Sequence, residues 1–165
     1  MGNWMRSRLA GAFEKFVCRR AMLMLALVAS TFPLVAAGQG IVGSQTVQPQ
    51  MDGNAAGVAE AFRITATASG TIGSLTVYVD ATSTATRVVV GLYANSGTRP
   101  GALLTQGSLN APVAGTWNTV SVPNANVTSA ATYWIAVLGP SGSGTIRFRD
   151  NPTGTPAVTS AQAKA

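Results

Sequence analysis

Apolar and polar residues alternate along most of the chain after residue 40, and turn residues separate the alternating runs. In one run, for example, Phe62, Ile64 and Ala66 fall on the same face. A period of two is the signature of β-strands, and no sustained helical period occurs in this region. The alternation predicts seven strands, and allows an edge strand at 45–47; the seven lie within residues 59–68, 74–79, 86–94, 102–109, 116–122, 132–138 and 145–149.

Short strands at this regular spacing predict an all-β domain, an antiparallel β-sandwich of the jelly-roll or immunoglobulin-like kind. Pro123 and Asn124 are expected to end the strand that starts at residue 116. We expect one sandwich domain over residues 38–150 and a flexible or truncated tail over 151–165, where residues are small and polar.

The first 37 residues have the three parts of a helical secretory signal peptide. Arginine and lysine predominate up to Arg20, an apolar run follows from Ala21, and small residues surround Ala37. The apolar run is short for a transmembrane helix, which needs about 20 residues. We therefore expect cleavage at Ala37 and a secreted or cell-surface protein, with no membrane association after cleavage; an uncleaved anchor is the alternative, and Sec and Tat export are both open.

The signal also accounts for most of the basic charge. The whole chain has 11 basic and 5 acidic residues, a net charge of +6, but residues from 38 onward hold only six basic and four acidic ones. A net charge of +2 with scattered cations does not indicate nucleic-acid binding.

Catalytic chemistry finds little support in the residue types. The chain has no histidine, and its one cysteine, Cys18, lies in the predicted signal. Nucleophile–histidine systems and zinc sites built from His and Cys are therefore excluded. The few carboxylates do not form a recognisable glycosidase pair, so we predict that the protein is not an enzyme and needs no cofactor.

The better candidates for binding are aromatic side chains. Tyr133, Ile135 and Val137 share one face of their strand, so Trp134 points to the other face, where it stacks on a sugar ring if it is exposed. Burial in a core or under a loop is the alternative for Trp134. Tyr78 and Tyr93 oppose apolar positions in the same way and are further ligand-binding candidates.

Charged residues supply the remaining candidates. Arg147 and Arg149 lie opposite Phe148 and suit an anionic polymer, although a solvated face is the ordinary role of such a pair. Structural calcium is the one metal that the composition permits, with Asp80 and Asp150 as weak candidates, although turn capping is the simpler role.

Several short motifs resemble, in order and spacing, a jelly-roll module of exported bacterial multidomain proteins. They cover residues 44–150 and lie at 91–94, 100–104, 115–118, 133–137 and 148–150. Such modules often adjoin immunoglobulin-like or fibronectin-type repeats or carbohydrate-active domains. The resemblance implies fold and export and only a general link to sugar binding. The chain departs from the pattern of such modules at two places. Asn95 stands where an aspartate often follows the strand at 91–94. Such modules also tend to continue past the position of Asp150 into another apolar segment, whereas this chain stops at Ala165, which suggests an incomplete sheet edge.

Two functions follow as hypotheses. The first is a non-catalytic extracellular module that binds polysaccharide or cell-envelope glycan. The second is a structural or adhesive surface domain with a protein partner, or a truncated module without independent function. An exposed Trp134 favours the first, whereas a buried Trp134 with a flat polar surface and an unpaired edge favours the second.

Overall fold

The computed structural model describes residues 40–151 and 156–161. The predicted signal peptide and its cleavage site at Ala37 lie outside these residues. Within them the secondary structure is entirely β, and no helix qualifies as a membrane span.

Nine strands make up the described part of the chain. They are β1 (Gln50–Asn54), β2 (Val58–Thr65), β3 (Gly70–Val79), β4 (Arg87–Ser96), β5 (Arg99–Asn110), β6 (Thr116–Val127), β7 (Thr132–Leu138), β8 (Ile146–Asp150) and β9 (Ala157–Ala161). Strands β2 to β8 lie where the sequence alternates with period two and turn residues flank the run.

The strands form two antiparallel sheets packed as a β-sandwich. One sheet has four strands in the order β1-β8-β3-β6, and the other has five in the order β5-β4-β7-β2-β9. Strands 1 and 8, 2 and 7, 3 and 6, and 4 and 5 are paired, and the chain changes sheet at every connection except the β4–β5 hairpin. This strand order is that of a jelly roll, which decides between the two kinds of sandwich that the sequence predicts.

The core lies between the sheets and is built from the inward positions of the alternating runs. The inner strand β4 contributes Val88, Val90 and Leu92, and the facing sheet contributes Leu75 and Val120 among others. All five are buried. Because neighbouring positions in a strand point to opposite faces, each strand of the five-stranded sheet also presents a second row of side chains on its outer face.

The sandwich closes at the side where β5 packs on β6. A Cβ atom on Gly107 would collide with the carbonyl oxygen of Ser121 and approach Val120 Cγ1 to 2.9 Å. At Gly107 the two edge strands therefore lie too close together for any residue that has a side chain, and only glycine fits.

Three predicted boundaries are wrong. β6 continues through Pro123 to Val127, which is tolerated because β6 is an edge strand. The first edge strand is β1 at Gln50–Asn54 rather than 45–47. The predicted flexible tail includes β9, whose residues Ala157–Ala161 pair with β2 and extend the five-stranded sheet.

Candidate functional site

The register of the five-stranded sheet aligns one small outward-facing residue from each of its three inner strands. Gly91 of β4 is paired with Ala136 of β7, and Ala136 is paired with Ala61 of β2. Gln106 of β5 continues the row beyond Gly91, and Val158 of β9 continues it beyond Ala61. The row therefore crosses all five strands at right angles to their direction.

Larger side chains stand on both sides of this row. On one side are Tyr93 and Trp134, and on the other are Val89 and Leu138. A low row between two higher rows makes a depression, and the structure has a cavity of about 1000 Å³ there. We call it the outer trough; its lining comprises Ala59, Ala61, Val89, Gly91, Tyr93, Arg99, Pro100, Gln106, Ala136, Leu138, Val158, Thr159 and Ser160.

Among the described residues, Tyr93 is the aromatic side chain that lines the outer trough. Its Cε2 atom lies 3.0 Å from the position that a Cβ atom on Gly91 would occupy, so the tyrosine ring extends over the glycine. The side chain is half-buried, which fixes its body and leaves part of it accessible. Arg99 and Pro100, at the start of β5, stand beside it at the same end of the trough.

Trp134 points to this outer face, as its parity predicts, but it is not exposed. Tyr133 and Val137 belong to the core, whereas the exposed fraction of Trp134 is 0%. The tryptophan lies between Tyr93 and Arg63 in cross-strand register, and its Nε1 donates a hydrogen bond to Asn95 Oδ1 at 2.8 Å. Of the two alternatives for Trp134, burial is the one that the structure shows, so the ring offers no exposed stacking platform.

The other predicted binding residues lie on the four-stranded sheet. Tyr78 is half-buried, and its Oη donates a hydrogen bond to the Gly115 carbonyl oxygen at 3.0 Å. Its cross-strand partner is Trp117, with ring centroids 5.5 Å apart and an angle of 79° between the planes. The five candidates thus fall on opposite sheets, Tyr93 and Trp134 on one and Tyr78, Arg147 and Arg149 on the other.

Trp117 is an exposed tryptophan that was not among the predicted binding residues. It is 37% exposed. The sequence indicates this exposure through strand alternation. Trp117 lies an odd number of positions from the buried Val120, so its side chain points away from the core. The residues of the outer trough, by contrast, are identified only by cross-strand register.

A second cavity opens where β3 and β8 diverge. The two strands are paired only at Val79 and Phe148, and a cleft of about 510 Å³ reaches from there into the core. Tyr78, Trp117 and Asp150 line it together with apolar side chains of both sheets. We call it the interstrand cleft.

Carboxylates near the interstrand cleft have raised pKa values. Burial raises the pKa of Asp150, and the charge of Asp52 adds to the effect. The Oδ1 atom of Asp150 is buried without a hydrogen-bond partner. Burial also raises the pKa of Glu60, partly offset by the hydrogen bond that Asn54 Nδ2 donates to Glu60 Oε2 at 3.0 Å.

Arg149 is held by contacts within the protein. Its Nη2 lies 2.6 Å from Asp80 Oδ2 in a salt bridge, and its Nη1 donates to the Pro49 carbonyl oxygen at 3.2 Å. Arg147 Nη1 donates to the Thr82 carbonyl oxygen at 3.4 Å. These two predicted anion-binding residues therefore have internal partners.

The Asp80 carboxylate is likewise engaged. Oδ1 accepts hydrogen bonds from Thr82 N at 2.9 Å and Thr82 Oγ1 at 2.6 Å, and Oδ2 accepts from Arg149. The Thr82 bonds lower the pKa of Asp80, and Arg149 lowers it further. Among the described residues no group of three His, Cys, Asp or Glu side chains is placed to hold a metal ion. Calcium at Asp80 or Asp150 stays a prediction.

Comparison of the chain with protein-family models, curated proteins and solved structures finds no match.

Proposed function

We propose that this protein is a non-catalytic extracellular module that binds polysaccharide or cell-envelope glycan, and that the outer trough is its binding site. The observation that carries the proposal is the row of small residues, Gly91, Ala136 and Ala61, which larger side chains of β4 and β7 flank on both sides. A path across five strands spaced by about 4.8 Å is about 19 Å long, which suits several linked sugar rings better than one small molecule.

The lining of the trough suits sugars chemically. Part of the Tyr93 ring is accessible, and the C–H face of a pyranose packs on an aromatic ring. Gln106 and Arg99 provide exposed polar groups at the β5 end, where they reach sugar hydroxyls. An apolar floor with a few polar groups at its margin is the usual composition of a binding site.

The lining also supports a non-catalytic role. Among the described residues, no aspartate or glutamate lines the outer trough, whereas glycoside hydrolysis ordinarily needs two carboxylates on either side of the scissile bond. In the described lining, a polysaccharide meets groups that bind it and none of the usual groups that cleave it.

A structural or adhesive domain with a protein partner is the second candidate. The burial of Trp134 favours it, because that residue offers no ring face to a sugar. The trough favours the glycan, because the outer face is concave rather than flat. Binding experiments separate the two.

The test is retention of the purified protein on a panel of insoluble polysaccharides and cell-wall preparations. We expect retention on at least one polymer, and we expect Tyr93→Ala to reduce it by about tenfold, as for loss of an aromatic contact worth about 1–2 kcal/mol. Tyr78→Ala, the matched control on the other sheet, should bind like the wild type. Retention lost in Tyr78→Ala and kept in Tyr93→Ala would contradict the trough as the site, and no retention on any polymer would favour the adhesive role.

A second variant tests the shape of the trough without removing any contact. Ala136→Phe places a large side chain at the centre of the floor, and aromatic residues are well accepted in strands. We expect this variant to fold, as judged by its circular dichroism, and to lose retention.

A further inference from the structure

We infer that the polysaccharide of the outer trough is acidic, a sugar polymer that bears regularly spaced carboxylate or sulfate groups. The inference rests on the proposed function and adds the chemical class of the ligand. Its basis is the distribution of charge between the two sheets.

Three arginines belong to the outer face of the five-stranded sheet. Arg63 follows Ala61 on the same face of β2, Arg87 precedes Val89 on the same face of β4, and Arg99 lines the trough. Arg63 and Arg99 therefore stand at the Tyr93 side of the small-residue row, and Arg87 stands beyond the opposite side. An extended chain in the trough passes between cations.

The described carboxylates all lie elsewhere. Asp52 is on β1 and Asp150 on β8, in the four-stranded sheet, and Asp80 directly follows β3. Glu60 belongs to β2 but points inward, where it accepts the hydrogen bond from Asn54. Across the part of the chain that the structure describes, the outer face of the five-stranded sheet thus carries three positive charges and no negative one.

The arginines of the two sheets also differ in their partners. The ion pair found among the described residues joins Arg149 to Asp80 on the four-stranded side. Arg87 Nη2 donates to Ser108 Oγ at 3.4 Å, a neutral partner that leaves its charge uncompensated. Cations grouped without carboxylates on a concave surface raise the local concentration of anions, and guanidinium groups bind carboxylate or sulfate in bidentate geometry.

The experiment compares two polymers that have the same backbone and differ in charge. Polygalacturonate is acidic, and its fully methyl-esterified form has the carboxylates blocked. We expect the purified protein to bind polygalacturonate, to bind the ester at least about tenfold more weakly, and to lose affinity as NaCl rises, because salt screens exposed charges. Dextran sulfate compared with neutral dextran tests sulfate in place of carboxylate by the same criteria.

Matched arginine variants locate the effect. Arg99→Gln should lower the affinity for the acidic polymer by about fivefold, the loss of roughly 1 kcal/mol from one exposed charge-assisted contact. Arg147→Gln removes the same charge from the other sheet and should change the affinity by less than about twofold.

The outcomes separate this inference from the proposed function. Equal affinity for the acidic and neutral member of both pairs overturns the acidic ligand and leaves a glycan-binding module. Equal weakening by Arg99→Gln and Arg147→Gln overturns it too, because the attraction is then that of the whole protein. Binding to no polysaccharide, acidic or neutral, overturns the proposed function itself.

Discussion

At the scale of single residues, a hydrogen bond to Asn95 satisfies the buried indole N–H of Trp134, a large side chain that points to the outer face. A buried indole N–H without a partner is costly, and here Asn95 Oδ1 is the acceptor at 2.8 Å. Asn95 lies near the end of β4, where it pairs with Pro100 in the β4–β5 hairpin. The bond therefore ties the hairpin end to the centre of the sheet.

This arrangement predicts the effects of two substitutions at one position. Asn95→Ala leaves the Trp134 N–H unpaired and should lower the free energy of unfolding by about 1–3 kcal/mol. Asn95→Asp retains an acceptor oxygen and should lower it by less. Urea unfolding followed by tryptophan fluorescence measures both values; an Asn95→Ala protein as stable as the wild type would show that water satisfies the indole.

The sequence predicts the direction of Trp134 but not its exposure. Parity within β7 depends on local spacing alone, so the alternation of Tyr133, Trp134 and Ile135 is sufficient to assign faces. Exposure depends on what other strands place over the ring, and that requires the pairing of β7 with β2 and β4. For the same reason Trp117 could be assigned outward by parity, whereas the low row at Gly91 and Ala136 could not.

At the scale of the strands, β8 pairs with its two neighbours in the four-stranded sheet over very different lengths. It pairs with β1 over five residues, from Ile146 to Asp150, but with β3 only at Phe148. The interstrand cleft is the consequence, because β3 and β8 separate beyond that point. The backbone of β3 therefore has a paired side toward β6 and a largely unpaired side toward the cleft.

Amide hydrogen exchange should reveal these two sides. In an antiparallel strand successive N–H groups point alternately to the two neighbours, and Asp80 N donates to the Arg147 carbonyl oxygen on the β8 side. By this alternation the Thr76 N–H points toward the cleft, and those of Leu75 and Val77 point toward β6. We expect Thr76 to exchange faster than both neighbours in NMR hydrogen-exchange spectra; slower exchange at Thr76 would mean that β3 and β8 are paired over a longer stretch in solution.

Strand positions were more predictable than strand ends. Period-two alternation located β2 to β8, since each contributes apolar residues to one core. β1 has the sequence Gln-Met-Asp-Gly-Asn, which has almost no alternation and becomes a strand by pairing with β8. Pro123 within β6 predicts a strand end unless β6 is known to be an edge strand. Edge positions follow from the topology of the sheet, which the sequence alternation does not give.

At the scale of the whole molecule, charge is divided between the two sides of the sandwich. The outer face of the five-stranded sheet carries Arg63, Arg87 and Arg99, whereas the four-stranded side holds the described carboxylates Asp52, Asp80 and Asp150. The net charge of the chain gives no indication of this, because it sums both sides and includes the basic N-terminal segment. The division also crowds carboxylates together, and that crowding affects stability.

The carboxylates predict how stability depends on pH. Burial raises the pKa of Glu60 and of Asp150, so the folded state keeps protons that the unfolded state releases. Stability therefore falls as pH rises from the usual pKa values, 4.5 for Glu and 3.8 for Asp, through the raised ones. Asp80 acts in the opposite direction: its lowered pKa gives stability that is present above the usual value of 3.8 and is lost as pH falls through the folded pKa. We therefore expect a higher urea midpoint at pH 4.5 than at pH 8.

Two variants assign this pH dependence to its groups. Glu60→Gln keeps an acceptor for Asn54 and removes the buried charge, so it should be more stable than the wild type at pH 8 and show a smaller difference between the two pH values. Asp80→Asn leaves Arg149 without its ion pair and should be less stable at pH 8, with the Glu60 contribution unchanged. If Glu60→Gln kept the full wild-type difference in urea midpoint, the origin of the pH dependence would lie with Asp150 at the interstrand cleft instead.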